Sequence, residues 1–313
     1  MRSLRFFLPI AAALVAFFVY RDFDAARRSR GEIRLVEPDA IGADLASRSG
    51  RWRWEQSDAE AARVTVSAGG FRQGKDNSTI ELADVELRVY HDGDASFDRI
   101  ETDAAIFDLR ESRLVSKAEV SITLGVPADR PDARDPSLTR IVAPQASFDT
   151  KAGTADADGE THYEFAGGRG QSVGAFYDSA GRYFHMKSQA RVERFASGPG
   201  GVATLITAGR LYYHERDGRV DLRDGATLER GSQFIRAEEA EVQLIEGKVE
   251  SIRARQAEGR ENSNGREVRF RSPLLTAHYD DSQRLERVEG QGGSELTSRS
   301  ASSLLRVEGE RID

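Results

Sequence analysis

The stretch IETDAAIFD, residues 100–108, decides the fold. Its apolar or small members Ile100, Thr102, Ala105 and Phe107 stand at steps of +2, +5 and +7. Side chains alternate faces along a strand, so the odd interval after Thr102 sends the second pair to the opposite face. A bend or bulge inside that interval restores all four to one side. The stretch therefore predicts a strand that kinks once and keeps a single apolar face. The same spacing returns at Ile141, Ala143, Ala146 and Phe148, at Ile206, Ala208, Leu211 and Tyr213, and at Ile235, Ala237, Ala240 and Val242. Weaker copies place Ala175 and Tyr177, and Leu274, Ala277 and Tyr279, at the later positions. Starting points at 100, 141, 170, 206, 235 and 272 lie 29 to 41 residues apart, room for two to four short strands each. Small residues beside the kink let an opposing sheet approach closely. A twisted roll built of repeats follows, and a β-sandwich with recurring kinks is the plainer alternative.

Outward from this unit, the texture from Arg51 onward is alternating: WRWEQ, ARVTVSA, TIELADVELRVY, RLVSKAEVSITL, TLITAGRLYY and GKVESIRARQ. Apolar residues at every second position mark half-buried strands. In TIELADVELRVY the phase shifts once, between Leu82 and Val85. Turn signals separate the runs at 91–94, 156–160, 178–182, 215–219 and 245–248. VPADRPDARDP (126–136) reads as a linker or loop, the polar stretch 258–266 as another loop, and GGRGQSVG (167–174) as a flexible hairpin connection.

Ahead of the strands, Leu4–Tyr20 is apolar apart from Arg5. As a helix it spans roughly 25 Å, against about 30 Å for a bilayer core, and Arg2, Arg5 and Arg21 can snorkel. A cleaved signal peptide is the rival, but Tyr20-Arg-Asp-Phe23 makes a poor cleavage region. Arginines on both sides leave the orientation open. The expected layout is all-β after a transmembrane anchor (1–21): a juxtamembrane stalk (22–50), a first roll part (51–125), the linker (126–136) and a continuing roll (137–313).

A mean hydropathy of -0.54 and 31% charged residues suit thin sheets better than a deep globule. The net charge of -7 argues against a general nucleic-acid binder. With no cysteine, disulfides, thiolate metal sites and a thiol nucleophile are out. His91, His162, His185, His214 and His278 have no metal-ligand spacing and read as solvated strand residues. DGDASFD (92–98) lacks the glycine and terminal glutamate of a calcium loop and reads as a hairpin turn. No nucleophile elbow, phosphate loop or marked carboxylate pair is present, so no catalytic residue, metal or cofactor is expected. Trp52 and Trp54 share one strand face, either as a lipid-contact patch or as a cap on the end of the roll.

The kinked units ending in AIFD, ASFD, AFYD and AHYDD, together with the phrases around 100–125 and 206–242, resemble the OstA-like family of lipopolysaccharide transport proteins over roughly residues 60–313. An anchor followed by such a domain resembles the LptC layout, and the continuing repeats resemble LptA. The resemblance implies an elongated, twisted β-jellyroll of antiparallel strands whose open groove takes acyl chains of lipopolysaccharide. It implies relay from an inner-membrane ABC transporter complex of the LptB/F/G type toward the outer membrane. It implies docking to an LptA-like periplasmic bridge protein by edge-strand pairing, a single-pass inner-membrane location with most of the chain in the periplasm, and no enzymatic activity. Groove candidates are Ile100, Phe107, Ile141 and Phe148 in the first copies. Tyr177, Ile206, Tyr213 and Ile235 follow, then Val242, Leu274 and Tyr279. Arg169, Arg182, Arg191 and Arg194 are exterior candidates for phosphates at the groove rim. The end of the chain, Val307, Gly309 and Ile312, matches only the first three motif positions, which suggests an open edge strand or a continuing sequence. A structural or adhesive β-repeat protein with a filled core is the main alternative, and a hydrolase on a β-roll the third.

Overall fold

The computed structural model describes residues 51–312 except 57–63, 75–77, 91–94, 132–134, 136–137, 180, 197–201, 215, 246–247, 264 and 281–284. The expected anchor and stalk lie outside the described residues. Those residues form 21 strands and no helix, and the strands pair antiparallel. The chain divides into two compact units. One holds the described residues up to Phe165 together with 174–181; the other holds 166–173 and 182–312.

In the first unit, β1 (Trp52–Gln56), β2 (Val64–Gln73), β3 (Thr79–Tyr90) and β4 (Ser96–Asp108) pair in succession. β4 then changes partner. Up to Thr102 it pairs with β6 (Val120–Pro127), and from Ala105 with β5 (Arg113–Ser116). β9 (Thr154–Phe165) repeats the device, with β8 (Ser147–Asp149) on its first residues and β7 (Arg140–Ala143) on its later ones. The switch sits where the spacing places the kink: Ile100, Thr102, Ala105 and Phe107 are all buried while Asp103 is exposed. In β3 the phase shift falls on Asp84, which adopts φ +51°. At the matching row of β9, Gly159 leaves no room for a Cβ against the Pro144 ring.

The second unit applies the same rule. β11 (Tyr183–Arg194) pairs with β12 (Thr204–Ala208) through its C-terminal half and with β13 (Arg210–His214) through its N-terminal half. β12 leads on to β15 (Ala226–Arg230) and β16 (Gln233–Ala237); β13 leads to β14 (Arg219–Arg223) and β17 (Glu239–Ile245). Both branches meet on β18 (Lys248–Ser263), followed by β19 (Arg266–Tyr279), β20 (Leu285–Arg299) and β21 (Leu304–Ile312). The kink line runs through Gln189 (φ +52°), Asp224 (φ +61°) and Gln256 (φ +49°), then through a register shift between Arg271 and Leu274. The long strands β4, β9, β11 and β18 thus each serve two sheet branches and turn a corner between them, a jellyroll-like arrangement.

Of residues 126–136, Val126 and Pro127 end β6, Val126 being wholly buried with Phe97 and Leu138, and the described residues beyond form a loop of the first unit, the loop alternative of the sequence reading. Three sequence expectations need correction. DADGE at 156–160 is strand, not turn, because its glycine serves the kink. Of GGRGQSVG, Gly167 alone makes the turn at φ +81°, and Gly168 begins β10 (Gly168–Asp178). Residues 258–263 and 266 continue β18 and β19, with Gly265 (φ +73°) in the tip between them.

Candidate functional site

The first unit's groove candidates are closed in. Phe107 is 0% exposed, and Ile100, Ile141 and Phe148 are buried. Trp52 and Trp54 meet the Phe107 ring edge-on at 5.7 and 5.0 Å and so cover that side of the first unit's core. A cavity of about 30 Å³ remains, lined by Val64, Leu87, Ile100, Phe148, Tyr177 and the carboxylate of Asp98 among others. That is room for about one water, far below an acyl chain. Asp98 is buried there because its oxygens are satisfied: the Gly125 N–H donates at 2.9 Å and the Tyr177 hydroxyl at 3.1 Å.

The second unit presents a different inner face. One apolar row crosses eight strands in register: Val192, Ile206, Leu228, Ile235, Gly259, Phe270, Leu296 and Val307. Burial falls along it. Val192, Ile206 and Leu228 are buried, Ile235, Phe270 and Leu296 are half-buried, and Val307 is 38% exposed. On β21, Leu304 and Leu305 reach 71% and 53% exposure. Among the described residues β21 pairs with β20 alone, which leaves a strand edge with open hydrogen-bonding groups. Beyond the kink, a second inner row joins Phe184, Tyr213, Val220, Val242, Ile252, Ala277 and Val288. Near the kink the interior is built of small residues, Ala237, Ala254 and Ala257 packing with Leu275.

The groove candidates of this half fare unevenly. Ile206, Val242 and Tyr279 are buried and face inward, and burial pushes the Tyr279 phenol pKa up. Tyr213 and Ile235 are inward and half-buried. Leu274 is not inward. The kink in β19 falls at Pro273, one step earlier than the sequence copy implies, so Ser272, Leu275 and Ala277 are buried while Leu274 stands opposite exposed Arg255. The rim arginines also divide. Arg169 pairs with Glu193 at 2.8 Å, and Arg191 is exposed on the outer face. Arg194 follows Ala190 and Val192 in alternation and belongs to the inner face.

Two features escaped the sequence reading. On the outer face, His185 stacks on Tyr212 at 4.2 Å and Tyr183 meets His214 at 5.0 Å. His185 is half-buried, no hydrogen bond to its buried Nε2 occurs among the described residues, and burial lowers its pKa, with Arg210 and Lys187 adding to the effect. It is not the solvated histidine expected. Beside this cluster the buried carboxylate of Asp221 is reached by Arg219 at 3.2 Å, His214 at 3.3 Å and Arg223 at 3.4 Å. Cross-strand pairing produces both groups, and only the register of β11, β13 and β14 reveals it. No group of metal ligands occurs among the described residues, and no described helix is long and apolar enough to cross a membrane.

No family model matches the chain, and no curated protein matches it. Among solved structures, it is similar to LptH, the LptA-homologous periplasmic component of the lipopolysaccharide transport device from Pseudomonas aeruginosa, with 18% identity over 36% of this chain and 79% of that one and a TM-score of 0.31.

Proposed function

We propose that the chain is a non-enzymatic carrier that holds the acyl part of lipopolysaccharide, or of an amphiphile like it, on the inner face of its second unit. In this reading Leu4–Tyr20 anchors it in the inner membrane, the strands lie in the periplasm, and lipid passes from an ABC transporter of the LptB/F/G type toward the outer membrane. The observation that carries the reading is the apolar row from Val192 to Val307, whose cover thins strand by strand toward the edge. Each buried acyl methylene contributes about 0.8 kcal/mol, so a chain laid along such a row binds without any polar contact. Edge pairing at β21 supplies the docking mode for an LptA-like bridge protein.

The first unit's filled interior favours a second reading, a structural β-repeat protein, for that part of the chain. A photo-reactive residue at Ile235 tests the two in living cells, with Phe148 (closed core) and Glu229 (outer face) as comparisons. Lipid adducts at 235 and none at 148 or 229 are expected. A folded protein without lipid adducts at 235 or at Phe270 removes the carrier reading and leaves the structural one.

A further inference from the structure

The outermost inner-face row of the second unit is polar where the next row is apolar. It runs Arg194, Thr204, Arg230, Gln233, Glu261 in register. Directly inside it lie Val192, Ile206, Leu228 and Ile235. Arg194 and Arg230 flank Thr204, two strand spacings or about 10 Å apart at the backbone, which two long arginine stems can close onto one group. Both side chains are half-buried. Among the described residues neither has an ion-pair or hydrogen-bond partner, although most arginines of this unit do, such as Arg210 with Asp224 and Arg223 with Glu239. The neighbouring carboxylates do not serve them: Glu193 points outward to Arg169, and the Glu261 carboxylate accepts from the Gln233 amide.

We infer that Arg194 and Arg230 form a two-guanidinium clamp for a phosphate group at the rim of this face. Two part-buried cations held side by side without a counter-ion repel each other and lose hydration, a cost that a bound anion removes. Burial lowers the pKa of each, and the charge of Arg194 lowers that of Arg230 further. Guanidinium forks match phosphate oxygens in geometry. The order of rows, arginines outside and aliphatic side chains inside, is the order of head and tail in an anionic amphiphile. The clamp rests on the carrier reading for the tail but not for the phosphate.

The full chain is titrated with monomeric dodecyl phosphate, dodecyl maltoside and inorganic phosphate. At least a tenfold preference for dodecyl phosphate over the maltoside is expected. R194Q/R230Q should lose the preference and keep its maltoside affinity, and R191Q should behave as the unaltered chain. If R194Q/R230Q loses all binding, R194K/R230K decides: a residual preference of threefold or more supports the clamp, and none overturns it. Competition by millimolar inorganic phosphate means that the clamp takes the free ion; absence of competition means that it takes a head group whose tail is seated. Equal affinity for the two amphiphiles overturns the clamp and leaves the carrier reading intact. Arginine-dependent binding of inorganic phosphate without any amphiphile binding keeps the clamp and ends the carrier reading. Failure to bind any of the three overturns both.

Discussion

The two units use one strand rule and fill it differently. At the last motif position the first unit has Phe107, Phe148 and Tyr177, and the second has Tyr213, Val242 and Tyr279. The bulkiest wholly buried side chains, Phe97, Phe107, Leu87 and Leu114, all belong to the first unit. In the second, alanines line the kink, and of the aromatic residues on the inner face Tyr279 is buried while Phe184, Tyr213 and Phe270 stay half-buried. Kinked strands alone therefore do not make an open face. Side-chain volume at equivalent positions decides whether the corner is filled, because interiors pack to nearly crystalline density.

The sharpest way to break this comparison is Phe107→Ala. Its ring is wholly buried under both tryptophans of the chain, so a loss of about 3–5 kcal/mol is expected. Because no tryptophan lies in the second unit, tryptophan fluorescence during denaturation reports the first unit alone. Ile235→Ala, half-buried in the second unit, should leave that signal in place. It should cost only about 1–2 kcal/mol, below the range for full burial, read as amide exchange in β15 and β16. Equal losses at the two sites would abolish the distinction.

Gly209→Ala tests the corner of the second unit. A Cβ there runs into Asp224 and its backbone carbonyl, and overpacking of this kind costs about 1–3 kcal/mol. The matching change in the first unit, Gly159→Ala, meets the Pro144 ring and should cost a similar amount. A neutral result at either would show that the corner is soft in that unit.

The smallest effect is a pH dependence. Because the folded pKa of His185 lies below its unfolded value, the unfolded chain binds more protons as pH falls through about 6.5, and stability declines there. His185→Gln should flatten that part of the profile of the second unit without changing the first. An unchanged slope would show that His185 titrates alike in both states.

Much of the fold was legible because the periods are local. The +2, +5, +7 spacing located the corner of β4, the alternation of TIELADVELRVY placed a phase shift between Leu82 and Val85 where Asp84 turns, and WRWEQ and TIELADVELRVY match β1 and β3 residue for residue. Glycine and proline misled where they serve corners rather than turns, as at 156–160 and 167–174. The single-step error at Leu274 has the same source: Pro273 carries the bend, and a one-residue slip exchanges the faces.

The site was less legible, since it depends on residues far apart in the chain. Arg194 looked like one of several exterior arginines, and Arg230 drew no notice, because nothing local marks a charge as inward or unpaired. The sequence by itself determined the all-β class, the kinked repeat and the absence of cysteine chemistry, all properties of spacing and composition. Only the tertiary structure decided which unit is filled, where along a row the cover thins and which arginines share a row, because cross-strand register brings together side chains that no local period connects.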